Sequence, residues 1–101
     1  MTRGWFVGGF EPTAWSTQDF EVGYRTHPQG SGGDDHHYHT TVTEINLITA
    51  GRMMLQDQEL GTGDIFVLEP WEITNPEFLE DTSIVCVKFP SVNDKRPLKL
   101  L

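Results

Sequence analysis

The sequence predicts an all-β fold, on three observations. Ten glycines and six prolines are spread along the 101 residues, and they divide the chain into pieces of roughly 5 to 8 residues. The apolar members of these pieces are mostly β-branched or aromatic, as strands prefer. No window of about 11 residues or more has apolar side chains at the helical spacing i, i+3, i+4 and i+7. The length predicts a single domain over residues 1–101.

In chain order, the pieces between the glycines and prolines predict seven strands and a weaker eighth. The strands are predicted at Trp5–Phe10, Phe20–Thr26, His36–Thr40, Glu44–Thr49, Arg52–Gln56, Asp64–Leu68 and Ser83–Phe89, with the weaker one at Glu72–Thr74. The segment Gln56-Asp57-Gln58-Glu59 is predicted to form a hairpin turn, since an aspartate can bond its own backbone. Gly63 supplies backbone freedom just before the apolar run Ile65–Leu68.

Charge and composition exclude several classes of partner. The formal net charge is −8 at neutral pH, which would repel phosphate backbones and anionic lipid headgroups, so neither nucleic acid nor a membrane is expected as a partner. The apolar runs are too short to span a bilayer, and the N-terminus lacks the continuous apolar segment of a secretion signal. The single cysteine, Cys86, cannot form an internal disulfide. We therefore expect a cytoplasmic protein.

A cluster of possible metal ligands lies in the middle of the chain, where His36, His37 and His39 are followed by Glu44. In an extended strand, His37 and His39 project to one face, while His36 and Tyr38 project to the other. Neutral imidazole is a common ligand for divalent transition metals. A turn or bulge between the histidines and Glu44 would bring the carboxylate to the same face. The alternative is an ordinary polar pair on a surface strand.

The segment H-x-H, with Glu44 and then Gly51 after it, resembles the first motif of the cupin superfamily, G-x5-H-x-H-x3,4-E-x6-G, with Gly32 one position from the leading glycine. The resemblance covers about residues 20–90. It implies a small double-sheet, jelly-roll-like barrel with a divalent metal (Zn, Ni, Fe or Mn) held by His37, His39 and Glu44. The second motif, G-x5-P-x-G-x2-H-x3-N, is broken, because Thr74 stands where the fourth ligand is expected.

Four further residues are predicted to lie at the pocket. Thr74 and Asn75 fall where the second motif would form the pocket wall, and their hydrogen-bonding groups suit the hydroxyls or carbonyls of a polar ligand. Tyr38 could line the mouth of the pocket or pack outward. His27, at the end of a strand expected beside the histidine strand, could be a replacement ligand, an acid/base or simply a partly exposed histidine. Cys86 is expected to pack as a small hydrophobic residue.

These observations support three hypotheses on function. The first is a cupin that binds or acts on a small polar ligand, carbohydrate-like or a carboxylate, at a divalent metal. The second is a metal-free, non-catalytic binding or sensing module. The third is a metal-free enzyme with a histidine base, similar to some sugar-nucleotide-modifying cupins. Small barrels often complete their core by pairing, so a homodimer is expected, in which the N-terminal strand within residues 1–10 could be exchanged.

Overall fold

Eleven short strands make up the regular structure of the computed structural model, which describes residues 4–32, 37–93 and 95–97. The strands are β1 (Trp5–Gly8), β2 (Trp15–Ser16), β3 (Glu21–His27), β4 (His37–His39), β5 (Thr43–Ala50), β6 (Arg52–Leu55), β7 (Gln58–Gly61), β8 (Ile65–Leu68), β9 (Glu77–Phe78), β10 (Thr82–Phe89) and β11 (Lys95–Pro97). These described ranges contain no helix, so no helix there could cross a membrane. The predicted all-β class is confirmed.

Two larger sheets face each other. The first has six strands in the order β2-β1-β3-β10-β5-β8, and the second has three in the order β7-β6-β9. A separate ladder pairs β11 with β4, the strand of the two histidines. An isolated bridge between His37 and Thr74 fixes β4 from its other side. The histidine strand is therefore held between two segments that come from the second half of the chain.

The hydrophobic core lies between the two larger sheets. Strand alternation places Ile48 of β5, Leu68 of β8 and Ile84 of β10 on the inner face of the six-stranded sheet. They form one buried cluster with Met53, Leu55 and Phe78 of the three-stranded sheet. This arrangement is the sandwich of two sheets that a small jelly-roll-like barrel requires.

Most predicted strands are present with shifted ends, and the predicted hairpin is present with a shorter turn, since Gln58 and Glu59 belong to β7. It joins β6 to β7 through Gln56 and Asp57, which both have positive φ, the backbone of a tight hairpin turn. The weaker strand Glu72–Thr74 is wrong, because only Thr74 of it pairs, through the single bridge to His37. Strands β2, β7, β9 and β11 were not predicted. His36 and the residues 33–35 before it lie outside the described residues.

Candidate functional site

A cavity of about 550 Å³ opens between the sheets. Its inner part is apolar and is formed by members of the core cluster, together with Phe66 of β8. Polar side chains from four strands and three loops surround the rest. These polar residues are Arg25, His27, Ser31, His37, His39, Glu44, Asn46, Thr74, Cys86, Lys88 and Asn93. A cavity that combines an apolar part with convergent polar groups is the usual form of a small-molecule site.

The two histidines of β4 both line this cavity. Their rings lie edge to face, with centroids 5.8 Å apart. Tyr38, between them, does not line the cavity; its ring stacks on that of Trp71 with the centroids 5.6 Å apart. The side chains of this strand therefore alternate as predicted. Tyr38 packs outward, which was one of the two positions considered for it.

Glu44 lies in the same cavity as the histidines because the extended backbone is interrupted between β4 and β5. Residues 40–42 are not extended, so Glu44 turns back into the cavity with its Oε2 2.6 Å from His39 Nε2. The thiol of Cys86 donates to the other oxygen, Oε1, at 3.4 Å. Burial raises the pKa of Glu44, but the hydrogen bond from His39, the His39 charge and the Cys86 and Lys88 contacts outweigh it, so the net pKa is lowered. The carboxylate is accordingly ionised at neutral pH.

Thr74 is buried opposite His37, in the place where the motif expects a fourth ligand. The two residues exchange backbone hydrogen bonds, from Thr74 N to His37 O at 2.9 Å and from His37 N to Thr74 O at 3.2 Å. The Thr74 hydroxyl oxygen also lies 3.3 Å from His37 Nε2. Thr74 is thus brought to the cavity, whereas Asn75 is not among the residues that line it.

His27 lines the cavity, but not beside the histidine strand. Strand β3 lies between β1 and β10, so the expected pairing of β3 with β4 is wrong. The His27 ring stacks on Phe78 with centroids 4.3 Å apart and the planes nearly parallel. Burial, and to a smaller extent the charge of Arg25, lower its pKa. His27 is therefore a neutral, packed side chain at pH 7.

Sequence reasoning missed four polar cavity residues of the six-stranded sheet, namely Arg25, Asn46, Cys86 and Lys88. Asn46 could have been found, because it stands two residues after Glu44 on the same strand and so shares its face. The others depend on the order of β3, β10 and β5, which the sequence does not reveal. Cys86 was expected to be a packing residue only; burial, together with the charge of Glu44 and its hydrogen bond, raises its pKa far above the ordinary value.

The fit of a metal ion to this site depends on its donor atoms. The two imidazoles and the carboxylate that line the cavity are donors that Zn, Ni, Fe and Mn accept. As they stand, no three His, Cys, Asp or Glu side chains within the described ranges are grouped so that they could hold an ion. His39 Nε2 and Glu44 Oε2 are bonded to each other instead. The donor types therefore fit a metal, and the ion would have to replace this hydrogen bond.

The two facing sheets around a central cavity are the double-stranded β-helix of the cupin fold, as solved structures show. An uncharacterized conserved protein with a double-stranded β-helix domain from Klebsiella pneumoniae superposes with a TM-score of 0.73 at 18% identity, over 83% of this chain and 74% of that one. Pac13 of Streptomyces, a nucleoside dehydratase solved with uridine, gives 0.68 at 13% identity, over 84% and 72%.

A third structure, KdgF from Halomonas sp., has a TM-score of 0.67 at 22% identity, over 76% of this chain and 74% of that one. No protein-family model matches the chain, and no curated protein matches it either. At these levels of identity the similarity establishes the fold. The predicted cupin architecture is confirmed.

Proposed function

We propose that the chain is a small-molecule cupin, which binds or acts on a small polar ligand in its central cavity with a divalent metal held by His37, His39 and Glu44. The observation that carries the proposal is that these three side chains all line one cavity of about 550 Å³. Solved structures with the same fold include a nucleoside dehydratase and an ectoine synthase, and their small ligands support this choice of ligand class.

In this proposal, Cys86 and Thr74 position the metal ligands. Cys86 donates to Glu44 Oε1 and so holds the carboxylate plane toward the histidines. Thr74 fixes His37 through two backbone bonds and supplies a hydroxyl where a fourth protein ligand is expected. A bound divalent metal would polarise a carbonyl or hydroxyl of the ligand, or activate dioxygen if it is iron. With three protein ligands, positions stay open for water and the ligand.

A second candidate is a metal-free site, and the contact between His39 and Glu44 favours it. The 2.6 Å separation of Nε2 and Oε2 is short, as expected of a charge-assisted hydrogen bond. A histidine oriented by a carboxylate is the usual form of a general acid or base. The same wall can equally bind a ligand without turnover, as a sensing module would. Cytoplasmic location and the absence of nucleic-acid partners stay predictions.

The metal content of protein purified without a histidine tag tests the proposal. We expect close to one equivalent after incubation with zinc, nickel, iron and manganese, and loss of that metal in the His37→Ala/His39→Ala double variant. The His27→Ala variant is the matched control, since it removes another imidazole of the same cavity and should keep the metal. A wild-type content below about a tenth of an equivalent would contradict the metal site and favour the second candidate.

We also propose a homodimer formed through the outer face of the six-stranded sheet. Ile45 and Leu47 of β5 point outward opposite Val67 and Ile65 of the edge strand β8, and all four are exposed. Val85 of β10 extends this apolar surface to the next strand, opposite Leu47. Two copies that each carry a charge of −8 repel each other, and this repulsion is weakest where the facing side chains are uncharged. The apolar face is therefore the surface at which two copies can pair with the least electrostatic cost and the most apolar burial.

A lysine at Val67 should separate the two copies. Val67 is 47% exposed in the single chain, so the Val67→Lys variant should fold normally and elute as a monomer under conditions in which the wild type is a dimer. Val92, a valine of similar exposure (40%) away from this face, supplies the Val92→Lys control, which should remain dimeric. Light scattering after size exclusion measures both masses. A wild-type monomer at micromolar concentration would contradict the proposal.

A further inference from the structure

Asn46 presents a buried donor that nothing in the described residues satisfies. The side chain is only 5% exposed, lines the cavity and stands between Glu44 and Ile48 on the inner face of β5. Its amide nitrogen has no hydrogen-bond acceptor among the described residues. Leaving such a donor unpaired costs about 1–3 kcal/mol. Rotation about the soft terminal torsion of asparagine can turn the amide toward the cavity, where an oxygen atom of a ligand could accept from it.

Two of the few cations of this acidic chain line the same cavity. Lys88 is already engaged, with its Nζ 3.5 Å from Glu21 Oε1 and 5.3 Å from the centre of the Trp5 ring. Arg25 forms no ion pair with any carboxylate of the described residues, and it lies at the more exposed side of the cavity. A guanidinium without a partner beside a cavity is suited to bind a carboxylate or phosphate in a bidentate manner.

The register of the sheet fixes how far apart these two groups lie. Arg25 is opposite Ile84 of β10, and Asn46 is opposite Cys86 on the other side of the same strand. Two strand spacings across and two residues along the strand give a Cα–Cα separation of roughly 12 Å. Both side chains reach into the space between, so one small molecule can contact both of them.

We infer that the ligand of this cavity is a small anion, whose carboxylate or phosphate group binds Arg25 and whose second oxygen, a hydroxyl or carbonyl, accepts a hydrogen bond from Asn46. The inference rests on the proposed function only for the cavity as the ligand site, and it does not depend on the metal. It assigns the polarity of the ligand along the cavity, with the anionic end at the exposed side, where Arg25 lies, and the neutral oxygen deeper inside, at the buried Asn46.

Paired probes test this directly. Malate and glycerol 3-phosphate carry an anionic group and a hydroxyl, and dimethyl malate and glycerol are their uncharged counterparts. Binding is measured by calorimetry and by the shift of the melting temperature, in a buffer without phosphate, with each probe at up to about 10 mM. We expect at least one anion to bind and its uncharged counterpart not to, and the anion that binds distinguishes carboxylate from phosphate recognition.

Three variants assign the two ends of the ligand. Arg25→Gln should weaken binding of the anion at least about tenfold, whereas Arg52→Gln, which removes a cation paired with Glu59 and Glu80 outside the cavity, should leave it unchanged. Asn46→Leu removes the unpaired donor at similar volume, so the protein should melt no lower than the wild type and yet bind the anion about tenfold more weakly.

The results that would overturn the inference are separate from those that would overturn the proposed function. Equal binding of charged and uncharged probes, no binding of either anion, or unchanged affinity in Arg25→Gln each contradict the anionic ligand. A lower melting temperature of Asn46→Leu with unchanged affinity contradicts the role of Asn46. Binding of an uncharged probe alone would keep the small-molecule cupin while removing the inference, and the metal content tests the proposed function alone.

Discussion

The Gly51→Ala variant should unfold about 10–30 °C below the wild type, the equivalent of about 2–5 kcal/mol. Gly51 joins β5 to β6 with a φ of +95°, and left-handed backbone costs an alanine about 1–2 kcal/mol. A Cβ there would also overlap the carbonyl oxygen of Asp81 and lie 2.7 Å from Thr82 Cα. These are backbone atoms, and relieving the overlap costs about 1–3 kcal/mol more.

Gly63 is the matched control for this substitution. Its φ of +90° is nearly the same, but a Cβ added there meets nothing within 4 Å. Gly63→Ala should therefore show the conformational cost alone, about 1–2 kcal/mol. Thermal unfolding followed by circular dichroism gives both values. Equal losses in the two variants would show that the approach of β10 to Gly51 is not what requires the glycine.

A Thr74→His variant, which places a histidine where the motif expects the fourth metal ligand, should bind the metal at least about tenfold more tightly, or by about 1.4 kcal/mol. The Thr74 hydroxyl is 3.3 Å from His37 Nε2, so a side chain at this position is already directed at the proposed ligands. An imidazole is a far better ligand for zinc or nickel than a neutral hydroxyl. The adjacent cavity provides space for the larger ring. Competition with a zinc-chelating dye measures the affinity.

Ile73→His is the control for a nonspecific effect of an added histidine. Ile73 is exposed and does not line the cavity, so the ring is added one residue away without access to His37. The control should bind zinc as the wild type does. A folded Thr74→His protein without a gain in affinity would argue against a metal at His37, His39 and Glu44, and the melting temperature shows whether the variant is folded.

The strands that could be predicted are those whose sequence alternates or is rich in β-branched residues, such as β5 and β10. Strand β7 was missed because Gln58 and Glu59 resemble a loop; it is an edge strand, placed by its hairpin with β6. Two-residue strands such as β9 contain too few residues to form a pattern. Their position depends on partners far away in the sequence, as Met53 pairs with Phe78.

The candidate site could be predicted where local geometry decides it. The H-x-H pair shares a face by alternation, and the turn before β5 was inferred from the odd spacing of Glu44. Arg25 and Lys88 could not be found in this way, since they reach the cavity only because β10 lies between β3 and β5. Long-range strand order is set by the whole packing of the chain, and a single sequence does not display it.

The apolar end of the cavity consists of the same side chains as the hydrophobic core, among them Met53, Leu68 and Phe78. Any change that enlarges this end therefore also removes core packing, which costs about 2–5 kcal/mol for a large-to-small substitution. A domain of this size has little stability to lose. Divergence toward new ligands is consequently less constrained at the polar wall, at positions such as Arg25 and Asn46, than at the apolar end, and preferences among relatives should differ there first.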